Sequence, residues 1–131
     1  MSHTVGVLGA GTISADATNA IKGVRPARIE LFDFGDVTSS ELVASLAPGA
    51  RVVKAFNHLP FEQMMSPVAA GHRRVLFVSG DGADAKASVM SVIRANGFAA
   101  VDLGSLASGS RLQQVGGPLA SLDLLTPEAT P

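Results

Sequence analysis

Hydrophobic and polar residues alternate along this chain in short blocks whose period switches between two and 3.6. Thr4 to Leu8 is a short apolar run that ends in Gly9-Ala10-Gly11, the pattern of a buried strand entering a glycine turn. Arg28 to Phe34 alternates with period two, which predicts a half-exposed strand. Thr38-Ser39-Ser40-Glu41 opens a helix, because Thr38 can cap it while Glu41 reaches back to the cap amide. Leu42, Val43 and Leu46 mark the apolar face of that helix, and Pro48-Gly49 ends it. Arg51 to Phe56 predicts the next strand, which leads into a polar turn at Asn57-His58. Arg74 to Ser79 reads as a buried strand. Ala85, Val89, Val92 and Ile93 then recur at i, i+4, i+7 and i+8, predicting a helix that Asn96-Gly97 closes. Phe98 to Val101 makes a last short strand, and Asp102 begins a loop-and-helix region. Alternating strands and helices predict an α/β layered fold with a largely parallel sheet, in one domain over 1–125 with a frayed tail at 126–131.

Composition narrows the function classes. A chain of 131 residues with 47% hydrophobic and 16% charged residues can bury one core and is not disordered. Ten Lys and Arg against eleven Asp and Glu leave a net charge of −1, too little positive charge for a phosphate-neutralising nucleic-acid binder. Trp and Tyr are absent, so a base-stacking platform is not expected. The lack of cysteine excludes disulfides, thiolate catalysis and cysteine zinc sites. Asp81 and Asp84 suit a loop and helix start. No histidine or third carboxylate stands at metal-site spacing from them, so no metal is expected. No apolar run reaches the roughly 18 residues of a membrane span. Val5 to Ala10 followed by Ala15-Asp16-Ala17 faintly resembles a signal peptide, but it lacks a basic start and glycines interrupt it. A cytoplasmic location is expected.

Gly9-Ala10-Gly11-Thr12-Ile13-Ser14 carries the first two glycines of G-x-G-x-x-G directly after a strand. The first permits a tight turn, and the second lets backbone approach a pyrophosphate at a helix N-terminus. On a local reading Ile13, Ala17 and Ile21 line one helical face and Gly23 ends the helix. Asp33 then falls 24 residues beyond Gly9, near where an acidic residue binds a ribose hydroxyl in a βαβ unit. The alternative is a plain glycine-rich turn.

Longer segments carry a resemblance. Val5 to Ile13, Asp16-Ala17-Thr18-Asn19-Ala20-Ile21, Thr38 to Val43, Pro48 to His58 and Ser79 to Lys86 stand in one order. Val101 to Leu106, Arg111-Leu112-Gln113-Gln114 and Gly116-Gly117-Pro118-Leu119 continue it. This ordered set resembles the NADPH-dependent coenzyme F420 reductase family, whose members pass hydride between NADP(H) and a deazaflavin, and it covers residues 16–125 nearly continuously. The resemblance implies a Rossmann-type fold that is internally truncated. Ile13 joins directly to a motif that the family carries after the last strand of its nucleotide-binding core. The first helix, the second strand with its basic 2′-phosphate residues and the middle strands have no counterpart. Arg25 and Arg28 read as solvated surface residues. Residues 13–26 therefore have competing readings: a helix by periodicity, a strand end by resemblance, or a hairpin of the first strand with Ser14–Ala17.

The resemblance further implies cofactor-binding residues. Gly9, Ala10, Gly11, Thr12 and Ile13 would supply the phosphate cradle. Asn19, Ala55, Asn57 and His58 would lie at strand ends near the nicotinamide, and the Gly116-Gly117-Pro118-Leu119 loop beside a second ring system. Hydride transfer is chemistry of the two cofactors, so no catalytic acid–base residue is required. For His58 the alternative is a turn hydrogen bond, and Met64-Met65 reads as packing material. The implied function is an NAD(P)H-dependent oxidoreductase using NADP or NAD with F420 or a flavin. Its alternative is a non-catalytic binding or dimerisation remnant lacking the adenosine half. Expected partners are these small molecules, with no nucleic acid and no membrane. Self-association into a homo-oligomer is expected, to cover sheet edges left by the missing strands.

Overall fold

A computed structural model describes residues 7–8, 13–19, 21–25, 28–31 and 33–128. The elements are β1 (Val7–Leu8), β2 (Ile13–Asp16), β3 (Ile21–Arg25), β4 (Arg28–Leu31), α1 (Ser39–Leu46), β5 (Arg51–Lys54), α2 (Phe61–Met64), β6 (His72–Gly80), α3 (Ala83–Ala95), β7 (Ala99–Asp102), α4 (Gly109–Gln113) and β8 (Leu125–Pro127). The main sheet runs β1-β2-β5-β6-β7, with β8 also paired to β6. Parallel pairs β2/β5 and β6/β7 form its body. A short antiparallel contact, Val53 with Gly80 and Lys54 with Ser79, joins the two pairs, and antiparallel β1 and β8 flank them.

The core follows the period-two alternation of the strands. Val53, Leu76 and Val78 share one buried cluster with Ala85, Val89 and Ile93 of α3. Their neighbours Lys54 and Ser79 point to the opposite face, where α1 and α4 lie. The sheet is thus covered on both sides, the α/β layering expected from the alternation. Gly109 permits the close approach of α4, since a Cβ there would stand 2.8 Å from the Leu103 carbonyl and 2.9 Å from Ser79 Oγ.

Helix α1 begins as its sequence predicts. Thr38 Oγ1 accepts from the Glu41 amide at 3.2 Å, and Glu41 Oε1 accepts from the Thr38 amide at 2.9 Å. Its buried residues, however, are Ser39 and Ser40, while Leu42 and Leu46 are exposed. The polar interior beneath its first turn takes hydroxyls, which turns the predicted apolar face outward. In α3 the contact follows the i, i+4 row of Ala85, Val89 and Ile93, and Val92 is exposed.

Two expectations for the first third of the chain are corrected. Residues 13–16 form no helix: β2 pairs antiparallel with β1, Leu8 opposite Ala15, and parallel with β5. The hairpin and strand-end readings are the ones observed, because β5 offers β2 a ladder that a helix could not use. Ile21–Arg25 and Arg28–Leu31 form a separate two-stranded antiparallel sheet, β3/β4, rather than a helix and strand of a βαβ unit. Asp33 lies exposed beyond it, its Oδ1 accepting from the Gly35 amide at 2.8 Å. At the other end, Thr126 and Pro127 do not fray. Both pair with β6, and the Glu128 amide donates to the Gly71 carbonyl at 2.8 Å.

Candidate functional site

The parallel pair β2/β5 directs two chain ends to one place. Asp16 and Lys54 are register partners at its carboxyl end, and the Ala55 amide extends the ladder to the Asp16 carbonyl at 3.0 Å. Ligands of open α/β sheets bind beyond such carboxyl ends. Asn19 follows β2, while Ala55, Asn57 and His58 follow β5. Phe56 between them takes a left-handed backbone with φ 61°, an uncommon conformation for a bulky residue that sharply redirects the chain.

Four of the residues singled out by sequence therefore gather here. Asn57 Nδ2 donates to Asn19 Oδ1 at 3.3 Å, and Asn19 Nδ2 donates back to the Asn57 carbonyl at 3.2 Å. Ala55 is fully buried. The His58 carbonyl accepts from the Ser121 amide at 2.7 Å. Its ring is buried edge-on against Phe77, and neither ring nitrogen has a hydrogen-bond partner. Burial lowers the His58 pKa, opposed by the Leu122 backbone and the Asp123 carboxylate.

Ile13 is not part of this group. It pairs with Arg51 at the amino end of β5, three residues or about 10 Å of strand from Asp16. Gly9, Ala10, Gly11 and Thr12 lie outside the described residues. Of their flanks, Leu8 stands opposite Ala15 and Ile13 begins β2.

Beneath the cluster lies a polar interior that the sequence reading had not assigned. Asp16 accepts from the Thr18 amide at 2.9 Å, Thr18 Oγ1 at 2.6 Å and Ser40 Oγ at 2.7 Å. Lys54 Nζ lies 3.7 Å from Asp16 Oδ2 and donates to the Thr18 carbonyl at 3.1 Å. Burial lowers the Lys54 pKa, and Asp16 opposes that shift. Gln113 of α4, fully buried, donates to Asn57 Oδ1 at 2.9 Å and accepts from the Ser79 hydroxyl. The only sequence signal for Gln113 is its place in the Arg111-Leu112-Gln113-Gln114 segment.

The next residue, Gln114, faces out. Its Oε1 accepts from the Ser39 amide at 3.4 Å, and it lines a cavity of about 150 Å³ with Asp33, Phe34, Val37, Arg111 and Val115. An open cleft of about 430 Å³ continues along Gly116, Gly117 and Pro118. Asp81 is engaged elsewhere, Oδ1 accepting from the Leu106 amide at 3.0 Å. Among the described residues no three His, Asp or Glu side chains group to hold a metal ion.

Solved proteins share this fold. The hypothetical protein SMa0349 from Sinorhizobium meliloti is 46% identical with a TM-score of 0.79, over 87% of this chain and 55% of that one. The "putative F420 dependent NADP-reductase" from Arthrobacter sp. FB24 is 30% identical with a TM-score of 0.63, over 74% of this chain and 45% of that one. The chain is thus similar to Rossmann-like proteins, one of them named as an NADP-reductase. Metalloreductase STEAP3 of Rattus norvegicus matches at 38% identity over 78 residues, 60% of this chain and 16% of that protein. No protein-family profile matches the chain. This Rossmann-like chain spans about half the length of the solved proteins it matches. No helix among its described residues is long and apolar enough to cross a membrane.

Proposed function

We propose that this chain is an NADP(H)-dependent oxidoreductase domain that passes hydride between the nicotinamide and a deazaflavin such as F420, or a flavin. The observation that carries this reading is the convergence of Asn19, Ala55, Asn57 and His58 beyond the carboxyl ends of β2 and β5. The names of two relatives, an NADP-reductase and a metalloreductase, support the same chemistry.

The residues fit the nicotinamide end of the cofactor better than its adenosine end. Asn19 is exposed and offers amide hydrogen-bonding groups, while Ala55, Asn57 and His58 are buried. The acceptor would enter along the Gly116 to Pro118 cleft, with its ring brought against the nicotinamide for hydride to pass. The cofactors supply the hydride chemistry, and the chain's part is to hold the rings and exclude water. A phosphate cradle at Gly9 to Thr12, with Ile13, would hold the pyrophosphate of NADP or NAD. We place this chemistry in the cytoplasm, consistent with a cysteine-free sequence.

The reversed β1 also favours a second reading, a non-catalytic remnant that self-associates. Leu42 and Leu46, one turn apart on α1 and exposed, provide an apolar stripe for a second copy. Calorimetric titration of the folded chain with NADPH, NADH and oxidised F420, beside light scattering for mass, separates the two. Micromolar binding of a nucleotide supports the oxidoreductase. No heat at millimolar ligand from a folded oligomer leaves the remnant.

A further inference from the structure

Two opposite charges face one small space without pairing. Asp33, in the loop before α1, and Arg111, in α4, both line the cavity of about 150 Å³, and both also line the open cleft along Gly116 to Pro118. The ion pairs among the described residues join other side chains. Backbone holds each of the two instead. Asp33 Oδ1 accepts from the Gly35 amide at 2.8 Å, and Arg111 Nη2 donates to the Asp36 carbonyl at 2.5 Å. Both bonds go to the same short loop, so they fix where the two groups stand and leave most of their capacity open. Asp33 keeps its second oxygen, and the guanidinium keeps most of its N–H groups. Gln114 adds a carboxamide, its Oε1 turned to the Ser39 amide at 3.4 Å and its nitrogen free to donate.

Size and polarity decide what the cavity can hold. A ring system of drug size takes roughly 300 Å³ or more. The cleft, about 430 Å³ and bordered by the apolar Leu31, Val115 and Pro118, has that room, and the cavity does not. The cavity suits a slender polar tail. Arg111 is matched to a phosphate, which its planar fork can bind through two N–H groups. Asp33 is matched to hydroxyl donors and repels an anion. A bare phosphate would therefore meet one favourable and one unfavourable charge, whereas a polyol that ends in a phosphate satisfies both. We propose that this cavity is a subsite for the polyol-phosphate tail of the acceptor, with Arg111 on the phosphate and Asp33 and Gln114 on the hydroxyls. The inference rests on the reading that the acceptor is a flavin or deazaflavin, and it adds that the tail as well as the ring selects it.

The test is calorimetric titration of the full chain with FMN and with F420, each beside its phosphate-free counterpart, riboflavin and the matching deazaflavin. The wild-type chain is expected to bind the phosphorylated member of a pair about tenfold or more tightly, with the gap narrowing as salt is raised. Arg111→Gln, at an exposed position, is expected to close the gap and leave the phosphate-free ligand unchanged. Should that variant fold poorly, Arg111→Lys, which keeps the charge and loses the fork, is expected to show an intermediate gap. Asp33→Asn can keep the Gly35 bond and lifts the repulsion, so it is expected to bind inorganic phosphate more tightly than wild type; no gain would take Asp33 out of the subsite. Equal losses for both members of a pair in Arg111→Gln would make Arg111 a prop of the loop and overturn the proposal. A loss of NADPH affinity alone would assign the phosphate to the nucleotide and overturn it too. Equal wild-type affinity within each pair overturns the inference and leaves the oxidoreductase reading standing. A folded wild-type chain that binds NADPH and none of the four overturns the inference and the acceptor half of that reading. One that binds no ligand at all overturns both.

Discussion

Lys54 and Asp16 stand opposite each other on adjacent parallel strands, Nζ to Oδ2 3.7 Å, with both side chains removed from solvent. The first turn of α1 closes over them, Ser40 Oγ bonding Asp16 and Ser39 Oγ accepting from Lys54 at 3.4 Å. Such a pair contributes little net stability when intact, but losing one partner strands a buried charge. Lys54→Met is therefore expected to destabilise the fold by about 3–5 kcal/mol. Adding Asp16→Asn should recover much of that loss, because no charge then remains buried. Urea unfolding of the four proteins of this cycle measures the coupling; strictly additive losses would show that the pair does not interact.

His58 makes a second prediction, on pH. Its ring is 4% exposed, its nitrogens are unpartnered, and burial holds its pKa below the ordinary 6.5. The folded chain thus binds this proton less readily than the unfolded chain. The stability it contributes is complete above pH 6.5 and is lost as pH falls through the lower folded value. Asp123 is the acidic group facing it, held by Arg74, whose hydrogen bond is the main cause of a pKa below 3.8. That contribution is lost only in stronger acid, so the two windows separate. His58→Phe is expected to flatten the Tm profile just below pH 6.5 and to match or exceed wild-type stability at pH 7 by up to about 1 kcal/mol. An unchanged acid slope in the variant would assign the titration to another group.

What could be read from the sequence was what local chemistry decides. The Thr38–Glu41 box, the apolar run of β6 and the Asn96-Gly97 stop of α3 each depend on residues within one or two turns, and each is found. Gly97 indeed takes φ 89°. The 13–31 region was not readable in this way. Ile13, Ala17 and Ile21 satisfy a helical period, but the partner that decides between helix and strand is β5, more than thirty residues away. Gln113 was equally hidden, since a buried glutamine is explained only by the carbonyls of Lys54 and Phe77 that converge on it. The gathering of Asn19 with Asn57 was implied by resemblance, not by spacing.

Thr38 offers a third prediction because it serves two elements. Beyond capping α1, its Oγ1 donates to the Leu106 carbonyl at 3.1 Å, linking the helix start to the loop before α4. Loss of an ordinary cap costs about 1 kcal/mol. The buried second bond places Thr38→Ala at the upper end, about 2 kcal/mol. Thr38→Ser retains the hydroxyl and is expected to recover most of it in chemical denaturation. Equal losses for Ala and Ser would show that the methyl packing, not the hydroxyl, is what matters.

Gly117 carries the last prediction, which joins stability to the proposed acceptor cleft. A Cβ at this position would lie 2.5 Å from the Arg111 carbonyl and 2.7 Å from that of Leu112, both backbone atoms that cannot swing aside. Gly117→Ala must therefore push the loop away from the end of α4. That displacement would also loosen the turn in which the Leu119 amide donates to the Leu112 carbonyl at 2.9 Å. Overpacking of this kind costs about 1–3 kcal/mol. Gly117 lines the proposed acceptor cleft, so F420 or flavin affinity should fall about tenfold or more while nicotinamide nucleotide affinity falls less. Calorimetry with each ligand separately reads the difference. A parallel loss of both affinities would mean that the loop supports the whole site, and unchanged acceptor binding would place the acceptor elsewhere.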